Sequence, residues 1–206
     1  MKSTGPALHL ASARGTDRAI ALLLHGGAEV GNDPVDAWSG PVVRMRPFGW
    51  AIHRHAREIA VARLRFGQQG WNGAAASPVA DVEHALAELR RRRPGIPVVL
   101  VGHSMGGRAA VRAAGDPSVL GVVALAPWLP PGEPEDQLAG RDLVILHGTD
   151  DQRTSPTQSA QYATRAKGVA RSARYVAIAG GDHAMLRPWR TWHRETAAAV
   201  AAIVRR

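Results

Sequence analysis

The stretch Val99-Leu100-Val101-Gly102-His103-Ser104-Met105-Gly106-Gly107 sets one serine between glycines at the end of an apolar run. The residues before it, 98–101, read as a strand covered on both faces, and the residues after it, 104–114, read as a helix. A serine at so tight a strand-to-helix turn takes a strained backbone conformation, which demands small residues two positions away on either side. Gly102 and Gly106 meet that demand. A packed glycine turn without chemistry would use the same residues, so the surrounding chain has to separate the two readings.

Outward from this turn, comparable apolar runs recur at 20–24, 59–66, 119–125, 143–146 and 173–178. Several are continuously apolar rather than alternating, as expected for parallel strands with helices on both sides. Between them lie helical segments. The clearest is 77–93, where Val79, Val82, Leu86 and Leu89 recur at helical spacing, with Ser77 as N-cap, Pro78 in the first turn and Pro94-Gly95 as terminator. Others are expected at 156–166, at 189–204 and at 43–55, the last interrupted by Pro47 and Gly49. Strand and helix alternate along the chain, the signature of an open, mostly parallel sheet wrapped on both faces. No repeat or low-complexity linker divides it, and residues 1–206 are expected to form a single domain.

Composition narrows the function classes. Of 206 residues, 45% are hydrophobic and 21% charged, the balance of an ordinary globular protein. There is no cysteine, which excludes disulfides, thiolate metal sites and cysteine nucleophiles. The opening segment has no apolar core of signal-peptide length, and no run approaches the roughly eighteen apolar residues of a membrane span, so a cytoplasmic enzyme is expected. The net charge of +9 is almost all arginine, Lys2 and Lys167 being the two lysines. Such charge can attract nucleic acid. Outside 90–93, however, the arginines are scattered, and no aromatic-interleaved basic ribbon appears, so no specific nucleic-acid partner is expected. The 90–93 cluster falls on the last turn of its helix, where positive charge complements the helix dipole. The histidines are dispersed, without a His-Glu-x-x-His, and there is neither a phosphate loop nor a dinucleotide fingerprint. No metal and no cofactor are expected.

With a strand before Ser104, a helix after it, and acidic and histidine residues in later loops, the chain resembles the α/β-hydrolase family of serine hydrolases. The resemblance runs from the His25-Gly26-Gly27 turn to the last helix and implies a central sheet of about six to seven strands. It implies a Ser-His-Asp triad. A serine hydroxyl is too weak an acid to attack unaided, so a general base must take its proton. His183, in "AGGDHAML" after the last apolar run, lies where the family carries that base, with His193 as the rival. The loop "ILHGTDDQRTSP" matches the family's His-Gly-x-x-Asp, which places the acid at Asp151, with Asp150 its neighbour by one. Two N–H donors are expected for the oxyanion: the amide of Met105 at the helix start, and Gly27 by the His-Gly-Gly match. His25 and His147, each before a glycine at a strand end, are read as turn or hydrogen-bonding residues, and His103 as structural.

Only residues 127–141 separate one strand from the next where many family members insert a cap, so no substantial cap is expected. Three residues are read as substrate walls: Trp128, just beyond a strand end, and Gln68 and Trp71 in "RFGQQGWNG", which lacks the carboxylate-arginine-glycine pattern of better-known members. The resemblance implies hydrolysis of a small-molecule carboxylic ester through an acyl-enzyme. Thioesters, lactones, dienelactones and polyesters remain open, as does a hydrolase-fold protein that binds without turnover.

Overall fold

The computed structural model describes residues 5–11 and 16–206; Lys2 and parts of the opening segment lie outside them. A seven-stranded sheet runs through the molecule in the order β1-β3-β2-β4-β5-β6-β7. Its strands are β1 (Ala7–Ala11), β2 (Ala19–Leu24), β3 (Ile59–Arg65), β4 (Val98–His103), β5 (Val119–Leu125), β6 (Asp142–Gly148) and β7 (Ser172–Ile178). All neighbours are parallel except β1, which pairs antiparallel with β3 at the edge.

The continuous apolar runs are explained by two cores. Along β2, Ile20, Leu22 and Leu24 face one cluster, which also takes Val82, Leu86 and Leu89 of α3 (Ser77–Arg92), Ala109 of α4 (Met105–Arg112) and Tyr162 of α5 (Pro156–Ala166). Ala21 and Leu23 face the other, built with Phe48 and Ile52 of α2 (Arg46–His55) and Trp192 and Val200 of α6 (Trp189–Val204). Both faces are therefore dry, and alternation has no reason to appear in the central strands.

Three local expectations change. The expected 43–55 helix is two helices, α1 (Gly40–Arg44) and α2, parted at Met45. Pro47 sits in the first turn of α2, where its missing N–H costs nothing, and Gly49 continues the helix against Val61 and Leu23. Ser77 is not an N-cap: it is the first helical residue, preceded by Ala76 at φ 43°, and its hydroxyl instead accepts from Asn72 Nδ2 at 3.3 Å. Strand β1 went unread because it is a short edge strand whose Leu8 and Leu10 are only half covered. The 90–93 cluster is drawn into ion pairs, Arg90 with Asp116, Arg92 with Glu88 and Arg93 with Asp17.

The chain passes from β2 outward to β3 and then crosses to β4 on the other side, so the crevice between the carboxyl ends of β2 and β4 is the switch point where open α/β sheets bind ligands. Nothing covers it from the β5–β6 connection, which holds only a short 3₁₀ turn, Asp136–Leu138. That connection is pinned down instead. Buried Glu133 pairs with Arg108 at 2.7 Å and with Arg112, and the Tyr162 hydroxyl donates to Pro134 O at 2.6 Å.

Candidate active site

Ser104 occupies the switch point with φ 53° and ψ −116°, a backbone conformation costly for a residue with a Cβ. The elbow is closed by contacts that only glycine allows. A Cβ on Gly106 would lie 2.4 Å from His25 O, and one on Gly102 would lie 2.2 Å from Gly106 O. Ser104 itself is tied on both sides, its amide donating to Leu125 O at 3.0 Å and its carbonyl accepting from Trp128 N at 3.2 Å.

The loop after β2 packs directly on this elbow. A Cβ on Gly26 would stand 3.4 Å from Ser104 Cβ, and one on Gly27 would run into the Met105 side chain and Gln69 O. The Met105 amide belongs to the first turn of α4, whose N–H groups have no intrahelical acceptor. Gly27 thus packs against Met105, the residue that follows Ser104. His25 braces the loop from behind, with Nδ1 against Gly26 O at 2.7 Å and Nε2 accepting from Phe66 N at 3.0 Å.

His183 and Asp151 meet across the ends of β7 and β6. His183 Nδ1 lies 2.8 Å from Asp151 Oδ2, which as a carboxylate oxygen only accepts, so Nδ1 carries the proton of this bond. Asp151 is fully saturated. Oδ2 also accepts from Thr154 Oγ1 at 2.8 Å and His147 Nε2 at 3.1 Å, while Oδ1 accepts from the amides of Arg153 at 2.7 Å and Thr154 at 3.0 Å. Burial alone would raise this carboxyl, but the hydrogen bonds from His147, His183 and the two amides outweigh it and hold it well below the usual carboxylate range. Asp150 points away, accepting from Thr149 Oγ1 at 2.9 Å.

Two further histidines, His147 read as a turn or hydrogen-bonding residue and His103 read as structural, bond to this pair. His147 donates from Nε2 to Asp151, and its Nδ1 is held 2.8 Å from Ser159 Oγ. His103 donates from Nε2 to the His183 carbonyl at 2.9 Å, linking the strand end beside Ser104 to the His183 loop. Its Nδ1 is buried against Gly26 with no partner among the described residues. Thr154 carried no sequence signal, because its partners come from three different loops. His193 lies elsewhere, packed edge-on against Phe48 with ring centroids 4.5 Å apart.

The expected substrate walls need correction. Gln68 is exposed and accepts from Asn72 Nδ2 at 3.1 Å; its neighbour Gln69 is the residue that lines the cleft of about 290 Å³ beside Gly26 and Gly27. Trp71 is buried in the core rather than facing a ligand. With Trp128 it sandwiches the Arg108 guanidinium, at 3.9 and 4.6 Å from the two ring centroids. The 65–73 loop is braced against the 28–31 loop through Gly70 N to Gly31 O and Trp71 N to Ala28 O, which turns Gln69 rather than Gln68 or Trp71 to the cleft. Trp128 alone of the three stays half-buried beside Ser104.

Burial of His25 and His103 has a consequence for stability. Burial, the largest cause in both, pushes His25 down to about 4 and His103 down to about 3, the latter helped by neighbouring His183. Below pH ~6.5 the unfolded chain binds protons at these positions and the folded chain does not, so stability falls with acidification, by up to about 1.4 kcal/mol per pH unit per histidine. Urea unfolding is therefore expected to give midpoints that drop steadily from pH 7 to pH 4.5. A flat profile over that range would contradict two buried neutral imidazoles.

Among the described residues, no helix is long and apolar enough to cross a membrane, and no group of His, Asp and Glu side chains is arranged to hold a metal ion. A family model described as an alpha/beta hydrolase domain matches residues 67–206. No curated protein sequence matches the chain. Many solved structures share the fold. A serine hydrolase homologue from Coxiella burnetii is 13% identical, with 97% of this chain and 94% of that one covered at a TM-score of 0.71. Est1E from Butyrivibrio proteoclasticus, solved with ferulic acid bound, is 11% identical, with 98% of this chain and 96% of that one covered at a TM-score of 0.70. A serine hydrolase without lid from Xanthomonas campestris is 17% identical over 94% and 88% at 0.60.

Proposed function

The chain belongs to the alpha/beta hydrolase family, and from that premise we propose that it is a serine hydrolase of carboxylic esters working through Ser104, His183 and Asp151. The observations that carry this reading are the strained Ser104 elbow and, tied to its neighbour His103 by the bond from His103 Nε2 to the His183 carbonyl, a histidine whose Nδ1 is bonded to a buried, saturated carboxylate.

In the proposed cycle, Ser104 Oγ attacks the ester carbonyl carbon while His183 Nε2 takes the hydroxyl proton. The carbonyl π electrons move onto oxygen, and the amides of Gly27 and Met105 receive that oxyanion; each such donor is worth on the order of a hundredfold or more in turnover. Asp151 holds the imidazole in the Nδ1–H tautomer and stabilises the imidazolium. Collapse of the intermediate breaks the bond to the leaving oxygen, which takes the proton from His183 Nε2. Water, activated by the same nitrogen, then attacks the acyl-enzyme, releases the acid and restores Ser104.

The family also accommodates thioesters, lactones, dienelactones and polyesters, and a fold of this kind can bind without turnover. A panel of short esters, thioesters and lactones, run beside labelling with a fluorophosphonate probe, separates these. Hydrolysis of simple esters with stoichiometric labelling is the expected result. Labelling without hydrolysis of any ester would move the reaction to another acyl bond, and neither labelling nor hydrolysis would leave a binding protein.

A further inference from the structure

A groove of about 880 Å³ opens between α2 and the start of α6, walled by Trp38, Trp50, Ala184, Leu186 and Trp189. Four of these walls are large apolar groups left in water: Trp38 is 74% exposed, Trp50 73%, Leu186 63% and Trp189 51%. Single exposed apolar residues need no explanation, but a concave cluster of them does. Arg44 and Arg54 also line it, and no acidic residue does.

The walls are held in place. Trp38 lies under the Arg46 guanidinium at 4.5 Å, and Trp189 is flanked by Arg190 at 5.1 Å and by His193. Leu186 projects from a closed turn: Asp182 Oδ1 accepts from the amides of Leu186 at 2.8 Å and Arg187 at 3.2 Å, and Trp192 Nε1 donates to Arg187 O at 3.1 Å. Met185, inside that turn, is kept at φ 60°, a strained value for a side chain of its size. The turn thus holds a leucine outward on a strained backbone closed by three hydrogen bonds.

Position relative to the reacting atoms assigns the occupant. Ala184, Met185 and Leu186 line the groove and follow His183 directly in the chain, so its wall starts one residue beyond the candidate base. On the reading above, His183 protonates the leaving oxygen, and whatever that oxygen carries must stand next to the imidazole. The cleft on the Gly27 side is a separate space, and the segment 38–41 walls both. Resting on the serine-hydrolase reading, we propose that this groove binds the apolar chain on the alcohol side of the ester, which makes the substrate class esters of medium-length or longer apolar alcohols.

The test compares acetates of graded alcohols, whose alkoxides differ little as leaving groups. From butyl to octyl acetate, kcat/KM is expected to rise about twofold or more per added methylene, the gain set by apolar burial. Lengthening the acid instead, from ethyl acetate to ethyl octanoate, is expected to change it less. Trp50→Ala and Leu186→Ser, both at exposed positions, are expected to lower the octyl-to-butyl ratio on the order of tenfold. A ratio unchanged in both variants, or no preference for octyl over butyl acetate, would overturn the groove assignment while hydrolysis of butyl acetate left the triad standing.

A second arm needs no turnover. Saturable binding of 1-octanol to the Ser104→Ala protein, followed by tryptophan fluorescence and lost in Ser104→Ala/Trp50→Ala, supports the groove even if no ester is cleaved. Absence of such binding counts against it. So does a concentration-dependent dimer in sedimentation that Trp50→Asp dissociates, because a second copy would then be the occupant.

Discussion

Ser104→Ala is expected to reduce kcat/KM by between about 10⁴- and 10⁶-fold and to abolish fluorophosphonate labelling, the range seen when a serine nucleophile is removed. The substitution is a clean one here. Alanine keeps the Cβ, so the strain of the φ 53° backbone is the same in both proteins. The backbone ties of residue 104, to Leu125 O and from Trp128 N, do not involve the hydroxyl and persist. A melting temperature close to that of the parent is therefore expected alongside the lost activity. Parent-like turnover, or an undiminished adduct, would remove Ser104 from the mechanism.

Asp151→Asn is expected to lower kcat by roughly 10⁴-fold through a tautomer change rather than a loss of charge alone. The carboxylate accepts five hydrogen bonds, two of them from backbone amides of Arg153 and Thr154 onto Oδ1. Those donors cannot reverse, so the asparagine oxygen must take the Oδ1 position and its NH₂ must replace Oδ2. The NH₂ then faces His183 Nδ1, His147 Nε2 and the Thr154 hydroxyl, all of which donate in the parent protein. His183 can meet it only by presenting a lone pair at Nδ1, which moves the proton to Nε2. The ring would then offer Ser104 a donor where it needs a base. Labelling by the fluorophosphonate should slow in proportion to kcat. Near-parent rates would instead show that the acid lies elsewhere, and Asp150→Asn, expected to be silent, is the control.

The two substitutions test different layers of what the chain encodes. The Ser104 turn was legible because it is local: an apolar strand, Gly102, Ser104, Gly106 and a helix lie within a few positions, and sterics dictate the small residues at 102 and 106. The strands around it were legible for the same kind of reason, since burial on both faces writes an unbroken apolar run such as 20–24 into the sequence. Even β1 could be missed without losing the sheet, because it adds an antiparallel edge and leaves the parallel order intact.

The carboxylate network was not legible. Thr154, His147 and Ser159 are ordinary residues in sequence and acquire meaning only when the ends of β6, β7 and α5 converge. Gln68 and Gln69 are indistinguishable by composition, and only the bonding of the 65–73 loop to 28–34 decides which one faces the cleft. Trp71 looked like a wall because it follows a strand end, but cation-π contact with Arg108 draws it inward.

By itself, then, the sequence determined the alternation of strand and helix, the turn at Ser104 and the loops that carry Asp151 and His183, since all of these follow from neighbours a few residues apart. Only the tertiary structure decided which side chains touch: His103 on the His183 carbonyl, three donors on one oxygen of Asp151, and Trp38, Trp50 and Trp189 around one groove. The physical reason is that a hydrogen bond or an apolar contact depends on distance in space. No pattern along the chain encodes that distance when the partners stand up to 151 residues apart, from 38 to 189.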